Sequence, residues 1–197
     1  MLTKSGKIFF DPKFKAYSNI VLPGEFATTK DDNHMLVTIL GSCVAACIRD
    51  TKLGFGGINH FLLAEPKNST GDDKSNNRYG CYAMECLINE IIKYGGKKEN
   101  LEVKLFGGSN LFESSLNVGS KNCDFAIDYL KKEGFKLSAK DLGGTRPRRI
   151  HYFPSSGKVI RQIIQPQDKI EIIKHESKYK EKITENKEIG GEVELFI

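Results

Sequence analysis

Cys43 and His60 are the two residues in this chain best placed by type and spacing to do chemistry. The cysteine follows Gly41-Ser42 inside Leu40-Gly-Ser-Cys-Val-Ala-Ala-Cys-Ile48, and the histidine comes seventeen residues later inside Gly56-Gly-Ile-Asn-His-Phe-Leu62. A free thiol with a pKa of ~8.5 is only a few per cent thiolate at neutral pH, so a nucleophilic cysteine needs a nearby imidazole to take its proton. Gly41 can take backbone angles closed to other residues and adds no bulk, so a cysteine on a bend there is expected to be exposed and approachable. The chemistry such a pair performs is acyl transfer through a thioester. On spacing alone the plainer reading stands ahead of it: Cys43 as a small buried residue and His60 as a satisfied strand histidine. A metal cluster of Cys43, Cys47 and His60 is not expected, because the x3 spacing would sit on a strand and no fourth ligand is evident.

The elements that must position the pair can be read from hydrophobic period. Met35 to Leu40 is an apolar run, Gly41-Ser42 a bend and Val44 to Ile48 a second β-rich run, so strand, sharp turn, strand is the simplest reading, with a helix beginning near Cys43 as its competitor. Ile58 to Leu63 forms a third strand with His60 near its start. If that strand lies beside the one carrying Cys43, a spacing of ~4.8 Å brings thiol and imidazole within hydrogen-bond range. Ala64 to Tyr79 is a long polar connection. From Gly80, the positions Met84, Leu87, Ile88, Ile91 and Ile92 follow the spacing of a buried helical face, which Gly95-Gly96 stops.

Leu101 to Phe106 predicts a strand ending at Gly107-Gly108, and Ser120 is expected to cap a second helix carrying Cys123, Ala126, Ile127 and Leu130. Lys136 to Ala139, Ile150 to Phe153 and Val159 to Ile164 are further strands. Strands outnumber helices without alternating with them, which predicts an α+β fold with mixed sheets. The division expected is an irregular N-terminal arm over 1–34, a main domain over 35–167 and a charged tail with an apolar end over 168–197. Residues 168–188 hold six acidic and six basic side chains and suggest a solvated helix or a loose tail.

Composition limits the function classes. At 197 residues, 39% hydrophobic and 28% charged, the chain is neither disordered nor fibrous, and no stretch approaches the ~20 apolar residues of a membrane-spanning helix. A net charge of +5 does not call for nucleic acid. The five cysteines lie inside apolar segments, which suits free thiols in a reducing cytoplasm. Cys47, Cys81, Cys86 and Cys123 are explained by packing. Arg146, Arg148, Arg149, Lys158 and Arg161 form a basic stretch with no acidic residue between Leu142 and Gln167, either steering an acidic protein surface or facing solvent. Gly107-Gly108-Ser109-Asn110 is either a substrate contact or a turn.

Several linked blocks add a resemblance. Leu22-Pro-Gly-Glu-Phe, the Leu40 to Cys47 block, Gly56-Gly-Ile-Asn-His-Phe-Leu-Leu, Lys104-Leu-Phe-Gly-Gly-Ser-Asn, Asp141-Leu-Gly-Gly with Arg149 following, and the terminal Gly191-Glu-Val-Glu-Leu-Phe together resemble the CheD family of chemoreceptor glutamine deamidases, in order from about residue 20 onward. The resemblance implies a layered α/β sandwich similar to the cytotoxic necrotizing factor deamidases. It also implies hydrolysis of glutamine side-chain amides on methyl-accepting chemotaxis receptors, with no metal or organic cofactor. The family's nucleophile falls on Cys43, its histidine on His60 and its threonine on Thr38, with Ser42 as the other nearby hydroxyl. It further implies a CheC-type phosphatase as a possible partner. The competing functions are a non-catalytic module that docks receptors or such a phosphatase, and a cysteine protease using the same pair.

Overall fold

The computed structural model describes residues 7–63, 73–111 and 117–165, together with 174, 176–179 and 181 near the C-terminus. Among the described residues, ten strands form two mixed five-stranded sheets. In chain order the strands are β1 (Ile8–Asp11), β2 (Ala16–Ile20), β3 (Phe26–Thr29), β4 (His34–Leu40), β5 (Val44–Asp50), β6 (Phe55–Asn59), β7 (Leu101–Gly107), β8 (Leu137–Leu142), β9 (Arg148–Phe153) and β10 (Lys158–Ile163). The first sheet runs β1-β2-β4-β9-β10, with β2 and β4 parallel; the second runs β3-β6-β5-β7-β8, with β7 and β8 parallel. Helices α1 (Asp73–Lys93) and α2 (Val118–Lys132) pack on the second sheet.

The two faces of β5 show how the layers form. Side chains alternate across a strand, so Val44, Ala46 and Ile48 point one way and Cys43, Ala45 and Cys47 the other. The first set joins Met84, Leu87 and Ile91 of α1 and Ala126 and Leu130 of α2 in one core. The second meets Leu36, Leu40, Ile150 and Tyr152 of the first sheet in another. With a core on each side, β5 reads as a continuous apolar run rather than an alternating one. Fully burying a side chain such as Leu87 or Ile91 contributes roughly 1.5–3 kcal/mol. The result is a three-layer β-β-α sandwich, an α+β fold with mixed sheets.

Several expected details are corrected. Residues 8–29 are not irregular: they supply β1, β2 and β3, because the short apolar runs between the turns pair with β4 and β6. The third strand begins earlier and ends at Asn59, leaving His60 just beyond it. The polar stretch before Tyr79 becomes helical from Asp73, while 64–72 lie outside the described residues. Ile92 is 40% exposed, since a buried face on α1 closes at Ile91. Ser120 does not cap α2. The N-cap is Asn117 in a left-handed conformation, and the Ser120 hydroxyl instead accepts from Asn110 Nδ2 at 3.1 Å. No helix among the described residues is long and apolar enough to cross a membrane.

Candidate active site

Cys43 lies between β4 and β5 on the bend Gly41-Ser42, and the backbone around it is fixed from behind. Gly108 N–H donates to the Cys43 carbonyl at 2.7 Å, and Ser109 N–H donates to the Gly41 carbonyl at 2.7 Å. Asn122 of α2, fully buried, donates to the Ser42 carbonyl at 2.8 Å while its own oxygen accepts from Leu63 N–H at 2.8 Å. A trans peptide holds its C=O and N–H on opposite sides of one plane. Pinning the Gly41 and Ser42 carbonyls inward therefore turns the Ser42 and Cys43 N–H groups outward, where they converge with that of Gly41. Gly107-Gly108-Ser109-Asn110, open between substrate contact and turn, is here the buttress of this bend. Gly107 (φ 113°) and Gly108 (φ 67°) take angles that favour glycine, and a Cβ on Gly107 would collide with the Cys43 carbonyl.

The three N–H groups close on a carboxylate from the C-terminal segment. Glu176 Oε1 accepts from Gly41 N at 2.9 Å and Cys43 N at 3.3 Å; its Oε2 accepts from Ser42 N at 3.0 Å and from the Ser42 hydroxyl at 2.7 Å. Ser42 thus serves this group and not the imidazole. A segment expected to be solvated buries its glutamate to 8% exposure, because four donors replace the water that the charge gives up.

His60 is held on both edges. Its neighbour Phe61 exchanges both backbone hydrogen bonds with Val44, at 3.0 and 2.9 Å, while His60 N–H donates to the Glu25 carbonyl and its own carbonyl accepts from Gly24 N–H. Continuing the β5–β6 register, in which Cys47 faces Ile58, sets His60 opposite Ala45 and diagonal to Cys43 on the same face of the sheet. Diagonal neighbours are ~7–8 Å apart at Cα, within reach of an aromatic side chain, and Ala45 leaves the space between them unfilled. Thr38 comes from the opposing sheet. Its hydroxyl donates to the Val21 carbonyl at 2.7 Å and is 2.7 Å from His60 Nδ1. Because its one proton goes to a carbonyl that can only accept, the hydroxyl accepts from Nδ1–H, which makes Nε2 the basic nitrogen. Nε2 is buried and has no hydrogen-bond partner among the described residues.

The structure therefore brings Thr38, Cys43 and His60 together and differs from expectation in two respects. Cys43 is 0% exposed, not approachable, and the thiol–imidazole hydrogen bond is not made. The charges explain the second point. Burial first, then the neighbouring charge and hydrogen bond of Glu176, push the Cys43 thiol well above its ordinary pKa. Burial lowers His60 to about 4, against the opposing pull of Glu176 and of the Val21 carbonyl. At neutral pH both members are uncharged in this state. A cavity of about 690 Å³ opens beside His60, with Thr38, Glu176, Leu22, Pro23 and Arg149 also in its walls.

Of the basic stretch, Arg148 does not face a partner. It is 3% exposed and donates to the carbonyls of Asp141 and Gly143 and to the Ser109 hydroxyl, with the Asp141 carboxylate at 3.2 Å. All five cysteines are free; Cys47 is core and Cys81 and Cys86 are partly buried. Sequence reasoning missed Asn122 and Glu176. Asn122 carried a signal, a polar residue beside Cys123 on an otherwise apolar helical face. Glu176 carried none, being one of six acidic residues in a mixed-charge run.

Comparison with known proteins identifies the family. The family model described as CheD chemotactic sensory transduction matches residues 62–162. A protein of Rhodopseudomonas palustris (strain BisA53) named probable chemoreceptor glutamine deamidase CheD is 45% identical over 187 residues, covering 94% of this chain and 87% of the relative. Proteins of the same name from Methylobacillus flagellatus and Hydrogenovibrio crunogenus are 41% and 45% identical, covering 96% and 89% of this chain and 94% and 92% of their own lengths. On the strength of relatives this similar over nearly the whole length, the chain belongs to the CheD family.

Proposed function

We propose that this chain hydrolyses glutamine side-chain amides of methyl-accepting chemotaxis receptors to glutamate and ammonia, with Cys43 as nucleophile, His60 as proton carrier and Thr38 as the residue that orients the imidazole. The observation that supports the reaction type most directly is the nest of Gly41, Ser42 and Cys43 N–H groups gathered on one carboxylate, with those of Gly41 and Cys43 sharing a single oxygen. Donors aimed in advance at a developing oxyanion are the strongest single contribution to acyl-transfer catalysis.

With a carboxamide oxygen in the nest, His60 Nε2 takes the thiol proton as Cys43 sulfur attacks the amide carbon. The imidazolium then gives that proton to the departing ammonia, and the neutral ring activates water to open the thioester. Burial is the main cause that keeps the thiol protonated; replacing the carboxylate by a neutral amide removes the next largest, the negative charge of Glu176. On the same reading the sandwich is of the cytotoxic necrotizing factor type and the chain works in the cytoplasm, a location that five free thiols support.

The test is to mix the protein with a receptor cytoplasmic fragment and follow glutamine peptides by mass spectrometry. Deamidation adds about one dalton per site, because NH2 becomes OH through covalent catalysis. Cys43→Ala and His60→Ala should abolish the gain while the chain still folds. Binding without any mass gain would select a docking module for receptors or a CheC-type phosphatase, and cleaved peptides would select a protease.

A further inference from the structure

The occupant of the nest has the same side chain as the proposed reaction's product. Glutamine deamidation leaves a carboxylate on two methylenes, and Glu176 presents that group to Gly41, Ser42 and Cys43. The fit continues along its segment. Tyr179 lies three residues on, on the same face of a helical turn, with its hydroxyl against that of Tyr79 and its ring over Gly24. Two glycines make the seat: a Cβ on Gly24 would collide with the Tyr179 ring, and one on Gly41 would stand 2.8 and 2.9 Å from the Glu176 oxygens. Beneath this segment Cys43 is wholly buried.

We propose that Glu176 is an internal product mimic: its side chain fills the subsite for the substrate glutamine, so the 176–179 segment and a receptor glutamine compete for the same N–H groups, and the sulfur stays covered until the segment is displaced. The proposal rests on the deamidase reading for the substrate's identity, while the covering of Cys43 does not. Competition tethered to the same chain lowers apparent affinity in proportion to the fraction of open molecules. Removing Glu176 should therefore lower KM and spare kcat.

The geometry also makes Glu176→Gln a substrate held in its own active site. The Cys43 sulfur would bond to the carboxamide carbon of the introduced side chain as its C–N bond breaks, the thiol proton would pass through His60 to ammonia, and water would cleave the thioester to give glutamate and the free thiol.

The experiment uses the full-length chain as wild type, Glu176→Ala and Glu176→Gln, with folding checked by thermal unfolding. Site-resolved alkylation with iodoacetamide should label Cys43 about tenfold faster or more in Glu176→Ala, the factor set by losing charge-assisted hydrogen bonds; should that variant fail to fold, Glu176→Ser takes its place. Residue 176 of Glu176→Gln should be recovered as glutamate, and as glutamine when Cys43→Ala is added. Unchanged Cys43 labelling in folded Glu176→Ala or Glu176→Ser overturns the proposal. So does a fall in kcat without a change in KM, or glutamine persisting at position 176 in a variant that deamidates the receptor fragment. If no variant acts on the fragment, the deamidase reading falls, and alkylation still decides whether Glu176 covers the sulfur.

Discussion

Arg148 and Glu176 are both charged side chains taken almost wholly out of water, and they serve the molecule differently. Arg148 finds its acceptors close in sequence, at Asp141 and Gly143, and reaches Ser109 behind the bend, so it is stitched into the fold. Glu176 finds its donors 133 to 135 positions away, on backbone groups whose outward direction is already set by Ser109 and Asn122. Arg148 holds the scaffold together. Glu176 occupies a site the scaffold has already shaped, and the difference lies in whether the buried group's partners would be left stranded without it.

That contrast can be broken in four ways. Arg148→Met should cost about 3 kcal/mol in denaturant unfolding, since it strands two partly buried carbonyls and half of an ion pair; a loss below about 1 kcal/mol would place Arg148 with the dispensable charges. Asn122→Ala should lower kcat by roughly ten- to a hundredfold, about 1.4–2.7 kcal/mol, because the Ser42–Cys43 peptide loses its anchor and the Cys43 N–H its aim. Its KM should move less, and equal effects on both would mean the residue merely supports the fold.

Acid gives the third test. His60 titrates at about 4 in the folded chain and at the ordinary 6.5 when unfolded, so between those values the unfolded state binds more protons. Stability is then intact above pH 6.5 and falls as pH drops toward 4, by at most about 1.4 kcal/mol per pH unit for this one group. Burial lowers His151 in the same direction, so the slope must be measured as the difference between wild type and His60→Gln. No difference would mean that His60 is not buried as a neutral base. The smallest effect is expected of Glu176→Ala on unfolding, a loss of about 1.4 kcal/mol, the equivalent of the tenfold uncovering of Cys43, because water can take the place of a side chain that lines a cavity. A loss as large as that of Arg148→Met would erase the distinction.

Legibility followed the range of the interactions. The runs around Leu40 and Val44 gave strand, bend and strand because both signals, apolar period and Gly41-Ser42, are local. Met84, Leu87 and Ile91 gave the buried face of α1 for the same reason. Residues 8–29 were misread because their strands are four or five residues long and are stabilised by pairing with β4 and β6, which no local pattern records. Ser120 was misread because capping depends on backbone angles, and Asn117 takes the left-handed one.

The sequence by itself determined the chemistry available to this protein: a thiol on a glycine bend, an imidazole seventeen residues on, and linked blocks resembling one enzyme family. Residue type and near-neighbour spacing are enough for that. Only the tertiary structure decided that Thr38 reaches His60 from the opposing sheet, that Asn122 aims the Cys43 N–H, and that a glutamate from the charged C-terminal stretch fills the nest. Those contacts join residues 22 to 135 positions apart, and their strength depends on distance and burial, which are properties of the packed chain and not of its order.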